Sequence, residues 1–566
     1  MTTADWIVLA ASQLFIVLYG IYKSRGQQSL NDYYKGGNSM NWFTVGLSIM
    51  ATQASAITFL SAPGQAYEEG MGFVQFYFGL PLAMVVLSIT AVPLYHKMNV
   101  TTAYEFLEKR FDLKTRLVAA ILFLTQRGLA AGFTIFAPSL VLSSILGWNI
   151  NITTIIIGLI VVIYTVTGGT KAVSATQKTQ MAIILFGMFF AGWWMVRLLP
   201  GNMGLGDALH IAGSMEKLNV IDTTFDLKNK YSIWSGLIGG FFLALSYFGT
   251  DQSQVGRYLT ASSITQSRMG LLFNGIFKIP MQFGILMIGA ILYVFYLFYT
   301  PPLFFNKVLV EQTTASEYAP QWNVLQLKND SIAQLKTTQT EKIAGLLEEK
   351  NNPEYLAKVE ELKELDAESK KLRKEAKIVI QQANPSADTN DTNYIFFSFV
   401  HDFLPMGLLG LIISVIFSAS MSSTSSELNA LASTTTVDIY KRMINTSATD
   451  ASYVRFSKLC TVFWGLYAIV FALFANRLGT LIEAVNILGS LVYGTILGIF
   501  LTAFYFKKIQ SNAVFIAALI TETIILSLWW FDVMPFLWLN LVGALAVILI
   551  SIIFQSILPD KSKSKA

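Results

Sequence analysis

Runs of about twenty apolar residues recur along this chain, and they constrain its fold more than any other feature. A bilayer core offers no water to backbone N–H and C=O groups, so only helices and closed barrels cross it. The runs have the length of a transmembrane helix, and they predict an all-α polytopic membrane protein with about thirteen transmembrane helices. The predicted spans lie near 4–22, 42–66, 71–95, 117–147, 150–168, 176–198, 232–255, 269–300, 405–437, 456–475, 479–506, 511–531 and 534–556.

The composition agrees with a membrane location. Charged residues make up 13% of the chain, whereas soluble domains carry roughly 25%. The net charge of +5 comes without a basic patch interleaved with aromatic residues, so we expect no nucleic-acid partner. A single cysteine, Cys460, and three scattered histidines argue against a disulfide framework and a multi-histidine metal site. Because no catalytic cluster or activated nucleophile stands at membrane depth, the chain is not expected to be an enzyme.

The distribution of Lys and Arg predicts the orientation. These residues concentrate in alternate loops, at 23–41, 96–116, 256–268, 438–455 and 507–510. Since basic loops stay on the cytoplasmic side, we predict an outside N terminus and a cytoplasmic C terminus ending in KSKSKA. The predicted location is the plasma membrane, specifically a bacterial inner membrane.

One polar block, 307–393, interrupts the series of apolar runs. Its apolar residues recur at spacings of three and four, as at Leu356, Val359 and Leu362, which is typical of amphipathic helices. The sequence Asn351-Asn352-Pro353 is suited to the turn of a helical hairpin. The loop alternation places this block outside the cell, either as a solvated helical insertion or as a docking surface for a protein partner.

The stretch Leu47–Tyr67, LSIMATQASAITFLSAPGQAY, differs from an ordinary span. Its helix-breaking pair, Pro63-Gly64, predicts an interruption at that position. Polar side chains beside helix breakers, at membrane depth, are typical of a discontinuous helix that lines a cavity. We therefore predict that this stretch forms half of an ion and solute site. The polar residues within it are Thr52, Gln53, Ser55, Thr58 and Ser61.

A second polar stretch, Ile412–Lys441, carries a dense series of hydroxyl groups between Ser418 and Ser426. One interpretation is a packing face, because small residues let membrane helices approach closely. The other is a cation site, since a weak, reversible sodium site is well made from neutral hydroxyls and freed backbone carbonyls. A broken helix supplies the carbonyls and a serine-rich helix supplies the hydroxyls.

Several motifs resemble those of the sodium:solute symporter family. The pattern A-x-x-S-S, from Ala419 to Ser423, is followed by Asp438-Ile439-Tyr440-Lys441 at the end of the same stretch. Each motif is weak alone, but their order and spacing together are specific. The others are Asn31–Gly37 (NDYYKGG), Tyr104–Phe111 (YEFLEKRF, with Tyr104 where a proline is usual), Gly168-Gly169 with Ala172-Val173, and Asp251–Leu259.

This resemblance implies a LeuT-like core of two inverted five-helix repeats, each beginning with a discontinuous helix. The implied organisation is an extra N-terminal span and loop (1–41), a first repeat (42–198), a second repeat (232–300 and 405–506), the outside insertion (307–393), and two C-terminal spans with a basic tail (507–566).

The resemblance also implies a set of sodium ligands. Carried across position by position, they are the carbonyls of Ala51, Ala54 and Ala419 and the hydroxyls of Ser422 and Ser423. This set pairs the two polar stretches that were chosen from the residues alone.

The sequence departs from the family at one informative position. Family members commonly read W-T-D-x-x-Q after the Gly-Gly pair, and in members with a second sodium ion that Asp helps to hold it. This chain reads Ala175–Gln180, ATQKTQ, with Gln177 in place of the Asp. An amide supplies oxygen but no charge, so a single sodium ion is predicted.

For the solute, we expect contacts from Gln53, Thr58, Tyr247, Phe248 and Lys278. Tyr247-Phe248 correspond to an aromatic pair that stacks on the ligand in sugar-transporting relatives. Lys278 lies in an apolar span at a cost of a few kcal/mol, which indicates either snorkelling or a ligand contact. Thr58 stands where those relatives keep a glutamine. A sugar and an organic anion both remain open.

Together these features predict a sodium-coupled secondary active symporter that works by alternating access in the lipid bilayer. Its solute would be a sugar, sialic acid, carboxylate or vitamin-like molecule. The alternative is a membrane sensor that uses the same solute site, with 307–393 as an arm that docks a partner.

Overall fold

The computed structural model describes residues 2–24, 29–201, 203–226, 228–347, 352–385, 387–475 and 481–558. Within these ranges, ten helices are long and apolar enough to cross a bilayer, and a bent pair makes an eleventh. Two shorter apolar helices lie at Ile150–Val166 and Ser235–Thr250. The all-α fold is confirmed, whereas the count of thirteen spans stays a prediction. Asn351 of the predicted turn and the basic tail from 559 onward lie outside the described residues.

The helices follow one another closely along the chain. In order, they are Thr3–Ser24, Leu30–Lys35, Trp42–Gln53, Ala56–Glu69, Leu80–Ile89, Ala91–Met98, Ala103–Arg110, Leu113–Leu146, Ile150–Arg197, Leu205–Ser214, Gly240–Thr250, Gln252–Tyr258, Ile264–Phe298, Lys307–Thr314, Ala319–Gly345, Pro353–Ala383, Thr392–Phe403, Leu408–Thr434, Asp450–Ala472, Leu481–Tyr505, Ser511–Trp530 and Phe536–Ile557.

The helices Trp42–Gln53 and Ala56–Glu69 form one interrupted crossing, which we call the broken span. Their axes differ by 61°. Ala54 has φ −85° and ψ 79°, outside the helical region, and Ser55 is extended as the residue that begins the second half. The interruption therefore falls at Ala54-Ser55, close to the middle of the polar stretch.

The predicted break at Pro63-Gly64 is wrong. Pro63 lies inside the second half of the broken span, where it forfeits one backbone hydrogen bond without ending the helix. Gly64 serves close packing instead, because a Cβ there would lie 2.1 Å from the carbonyl oxygen of Thr392.

A second interruption lies at Asp251, between Gly240–Thr250 and Gln252–Tyr258. Asp251 has extended backbone angles, φ −76° and ψ 120°, and its side chain accepts a hydrogen bond from the Ser253 N–H. An Asp in this position caps the helix that follows it. The helix at 232–255, which was expected to be discontinuous, is therefore interrupted near its end.

The helix Ile150–Arg197 bends sharply between its two apolar parts. The hydroxyls of Tyr164 and Thr176 lie 2.5 Å apart, although twelve residues of straight helix would separate them by about 18 Å. Two spans were predicted here, at 150–168 and 176–198, and the bend lies between them.

The helix Leu408–Thr434, which we call the serine-rich helix, lies in the middle of the bundle. Almost every residue along it is buried. It packs against Ile150–Arg197, Leu113–Leu146 and both halves of the broken span. Its small side chains allow these close approaches.

The block 307–393 contains the predicted hairpin, made by Ala319–Gly345 and Pro353–Ala383. We call it the outer hairpin, after the location that the sequence predicts for it. Asn352 caps the second helix and Pro353 is its first residue. The two helices are joined by a buried ion pair, Lys336 to Asp366, at 2.8 Å. Burial alone would raise the pKa of Asp366, but Lys336 and Lys370 together hold that pKa well below its usual value.

Arg373 ties the outer hairpin to the C-terminal end of the broken span. Its guanidinium lies 2.9 Å from Asp391 Oδ1 and 3.3 Å from Glu68 Oε1. Asp391 is fully buried and also accepts the Phe305 N–H at 2.8 Å. The Thr392 hydroxyl donates to Glu68 at 2.6 Å. The last turn of the broken span is thereby anchored to the polar block.

We expect Arg373→Ala to lower the free energy of unfolding by about 3 kcal/mol, because it leaves Asp391 buried without its main cationic partner. Thermal unfolding of the detergent-solubilised protein measures this loss. Lys371→Ala, at an exposed position of the same helix, is the control. Equal stability of the two variants would show that Arg373 does not anchor the broken span.

Candidate ion and solute site

The interruption of the broken span frees backbone oxygens. A helix leaves its last four carbonyls without helical partners. The carbonyls of Met50 and Gln53 accept the N–H groups of Ala54 and Ser55 across the break, at 2.8 and 3.1 Å. The Ala51 carbonyl accepts the hydroxyl of Ser422 at 3.0 Å. The broken span and the serine-rich helix therefore meet through one of the freed carbonyls.

The predicted sodium ligands lie on both sides of this meeting point. Ser423 Oγ donates to the Ala419 carbonyl at 3.0 Å, one turn along the serine-rich helix. Ala54 is fully buried at the break itself. Ala51 and Ser422 are thus joined across two helices, and Ala419 and Ser423 within one. All of these atoms are neutral oxygens, which suits a weakly bound monovalent cation.

Gln177 joins the same two elements beside this group. Its amide nitrogen donates to the Ser422 carbonyl at 3.3 Å, to Ser426 Oγ at 2.9 Å and to Thr52 Oγ1 at 3.3 Å. Its amide oxygen accepts the hydroxyl of Ser48. At this position the chain has a neutral side chain whose N–H groups already donate hydrogen bonds to the surrounding oxygens.

A cavity of about 110 Å³ lies beside the break. Four of the predicted solute contacts line it, namely Gln53, Thr58, Tyr247 and Phe248. Helices from both halves of the chain contribute, and the wall combines aromatic rings with a few polar groups. This combination is typical of sites for small organic molecules.

Lys278 lies behind the wall of the cavity. Its ammonium nitrogen is 5.6 Å from the ring centroid of Tyr77, which does line the cavity. Lys278 is fully buried, and among the described residues its Nζ has no hydrogen-bond partner. Its helix runs along the broken span, with Gly270 beside Gly46 and Gly289 beside Pro63. This register places Lys278 level with the break.

A cluster of buried charges, absent from the predicted site, borders the cavity. Arg127 pairs with Glu427 at 3.0 Å and, more closely, with Asp251. The Tyr493 hydroxyl donates to Asp251 at 2.8 Å. Arg127, Glu427 and Tyr493 line the cavity. The signal was present in the sequence, because ionisable residues within apolar runs mark functional sites in membrane proteins.

A comparison with protein families matches residues 33–335 and 375–521 to the sodium:solute symporter family. The chain belongs to this family. The resemblance carried by the sequence motifs is thereby confirmed, and with it a multi-pass membrane protein. The outer hairpin falls partly in the gap between the two matched ranges.

Three curated relatives of this family member are transporters, not enzymes. The human sodium/iodide cotransporter is 31% identical over 48% of the chain and 42% of its own length. The Xenopus laevis sodium-coupled monocarboxylate transporter 1 is 26% identical over 93% of the chain and 72% of its length. The sodium/sialic acid symporter NanT of Aliivibrio fischeri is 23% identical over 97% and 92%. None of these relatives supports the sensor alternative.

A solved structure shares the fold of this family member. It is a Na⁺-coupled sialic acid symporter in a substrate-bound, outward-open state, with a TM-score of 0.76 and 21% identity. The match covers 99% of this chain and 98% of the other. The all-helical architecture is therefore that of a known transporter fold.

We expect Ser422→Ala or Ser423→Ala to raise the sodium concentration for half-maximal thermal stabilisation about tenfold, which corresponds to ~1.4 kcal/mol of binding free energy. Each change removes one candidate hydroxyl ligand. The measurement is the melting temperature against sodium at constant ionic strength.

Ser433→Ala is the matched control, because that hydroxyl bonds the Ala430 carbonyl of its own helix. Unchanged sodium dependence in both ligand variants would contradict the assigned site.

Proposed function

We propose that this protein is a sodium-coupled secondary active symporter that imports a small organic anion by alternating access. The observation that carries the proposal is the contact between the Ala51 carbonyl and the Ser422 hydroxyl at the break of a membrane helix. A sodium ion takes its ligands there from Ala51, Ala54, Ala419, Ser422 and Ser423. The family membership and the sodium-coupled relatives support this reading.

Coupling follows from differential binding. A sodium ion between the broken span and the serine-rich helix stabilises the arrangement in which these two elements are close. A solute that binds the same arrangement is stabilised with it, and linkage makes the effect mutual. When the elements separate toward the cytoplasm, both ligands lose their sites.

A carboxylate is the solute class that the site favours. The three curated relatives are named for iodide, monocarboxylates and sialic acid, all anions at neutral pH. Two buried cations, Arg127 and Lys278, lie at or behind the wall of the cavity. Arg127 offers the forked N–H geometry that matches a carboxylate. Gln53, Thr58, Tyr247 and Phe248 contact the remainder of the solute.

The finer architecture follows the family. We propose thirteen spans, with inverted repeats at 42–198 and at 232–300 plus 405–506. The outer hairpin lies outside the cell and the C terminus in the cytoplasm of a bacterium. A protein partner that docks at 307–393 is part of the same proposal.

Uptake into proteoliposomes tests the function. We expect inward sodium gradients to drive accumulation of radiolabelled lactate, pyruvate or N-acetylneuraminate, and potassium gradients to drive none. Arg127→Gln should reduce carboxylate uptake at least tenfold, whereas Arg127→Lys, which keeps the charge, should retain part of it. Sodium-driven uptake of glucose but of none of these acids would overturn the anion assignment.

We further propose that a single sodium ion is transported, because Gln177 places N–H groups where a second cation would need oxygen ligands. Gln177→Asp should create an anionic ligand beside the Ser422 carbonyl and the Ser426 hydroxyl. The Hill coefficient for sodium should then rise from about 1 toward 2, the number of sites being its upper limit. Gln177→Asn, which stays neutral, should keep a coefficient near that of the natural protein. A coefficient of about 2 before substitution would contradict the single-ion proposal.

A further inference from the structure

The charge cluster at the cavity has two carboxylates for one guanidinium. We propose that Glu427 is an internal carboxylate that occupies Arg127 until sodium binding releases Arg127 for the carboxylate of the solute. This inference rests on the proposed function and assigns to Glu427 a positioning role within it.

The two carboxylates are held differently. Asp251 pairs with Nε and Nη2 of Arg127, accepts the Tyr493 hydroxyl, and caps its own helix through the Ser253 N–H. Glu427 accepts hydrogen bonds only from Nη1 of Arg127, at 3.0 Å, and from the hydroxyl of Thr134, also at 3.0 Å. Asp251 is therefore a fixed part of the fold, while the hold on Glu427 is the weaker of the two.

Glu427 also lies on the wall of the cavity that a solute would enter. Arg127, Glu427 and Thr134 line the cavity, whereas Asp251 is not among its lining residues. An incoming carboxylate that binds Arg127 from the cavity therefore competes with Glu427, which already accepts a hydrogen bond from Nη1. The side chain of Glu427 has the same functional group as the proposed solute.

Electrostatics make this exchange unfavourable without a second cation. With Arg127 already balanced by Asp251, the charge of Glu427 repels a third carboxylate in the cavity. Sodium supplies the missing positive charge. Ser423 precedes Glu427 by four residues on the serine-rich helix, which is one turn, or about 6 Å along the axis. A sodium ion at Ser422 and Ser423 compensates Glu427 and lowers the cost of its leaving Arg127.

A chain of hydrogen bonds connects the two positions. Ser423 Oγ donates to the Ser420 carbonyl at 3.2 Å, and Ser420 Oγ donates to the Thr134 carbonyl at 2.7 Å. Thr134 then contacts Thr424 at 2.8 Å and Glu427 at 3.0 Å. The Ser423 hydroxyl, which would bind sodium, and the carboxylate that holds Arg127 thus belong to one buried network.

The test compares solute affinity in sodium and in potassium. Calorimetric titration of lactate and of N-acetylneuraminate into the detergent-solubilised full chain gives the ratio of the dissociation constants, Kd in potassium over Kd in sodium. The natural protein should bind at least one probe more tightly in sodium. In Glu427→Gln, the Kd in potassium should fall at least fivefold and the ratio should approach 1, because Arg127 no longer needs sodium for its release.

Glu522→Gln is the matched control, since Glu522 is a partly buried carboxylate of the membrane helix Ser511–Trp530 that does not line the cavity. It should keep the ratio of the natural protein. A ratio that is equally large in Glu427→Gln would overturn the inference while leaving the proposed function intact. Absence of carboxylate binding to the natural protein in sodium would instead refute the proposed function.

Folding of the variants is checked by their thermal unfolding in sodium. If Glu427→Gln does not fold, Glu427→Met is tested in its place, because methionine fills the space without a polar group. The ratio of Kd in potassium to Kd in sodium should again approach 1. Failure of both to fold would identify Glu427 as part of a structural ion pair and would overturn the exchange.

Discussion

The site depends on one backbone oxygen, the Ala51 carbonyl, which pairs with a side chain of another helix. A helix that stops inside a bilayer leaves carbonyls that no water can satisfy, and the chain must supply partners for them. Here the Ala51 carbonyl meets the Ser422 hydroxyl at 3.0 Å. This contact fixes which helix lies beside the break and at what height. The serine-rich helix is buried at the centre of the bundle, where its hydroxyls form hydrogen bonds with neighbouring helices.

Buried charge is the second organising constraint. Arg127, Asp251 and Glu427 are all nine-tenths or more buried, and pairing with one another lowers the cost of burying their charges. The same cluster joins the helix Leu113–Leu146, the interruption at Asp251 and the serine-rich helix. Pairing thus connects the interruption at Asp251 to the serine-rich helix beside the cavity.

The sequence allowed much of this arrangement to be predicted because membrane burial leaves clear patterns. Apolar runs gave the helical class, and clustered polar residues located the broken span and its serine-rich neighbour. The break itself was misplaced, since Pro63 is the stronger local signal for an interruption, while Ser55 is the residue that begins the second half. Tertiary packing determines which of the two positions is the break. Gly64 lies within the helix and allows its close packing against Thr392.

Three-dimensional pairing was the part that local patterns could not give. Arg127, Asp251 and Glu427 each lie within a predicted span, but they are separated by more than a hundred residues from one another, and local patterns do not say which of them pair. Lys278 is predicted to contact the solute because it is an isolated charge in an apolar span, yet it lies behind the cavity wall. The residues that contact one another in the site could therefore be identified only from the fold. The kind of site, by contrast, could be predicted from the sequence.

The anchoring of Glu68 by Arg373 has a consequence for movement. The second half of the broken span, Ala56–Glu69, is joined to the outer hairpin at its C-terminal end and packs through Gly64 against Thr392, and both contacts restrain its position. A change in the backbone angles at Ala54-Ser55 would then rotate the first half, Trp42–Gln53, relative to the second half. Since Ala51 belongs to this first half, such a rotation would move its carbonyl relative to Ser422.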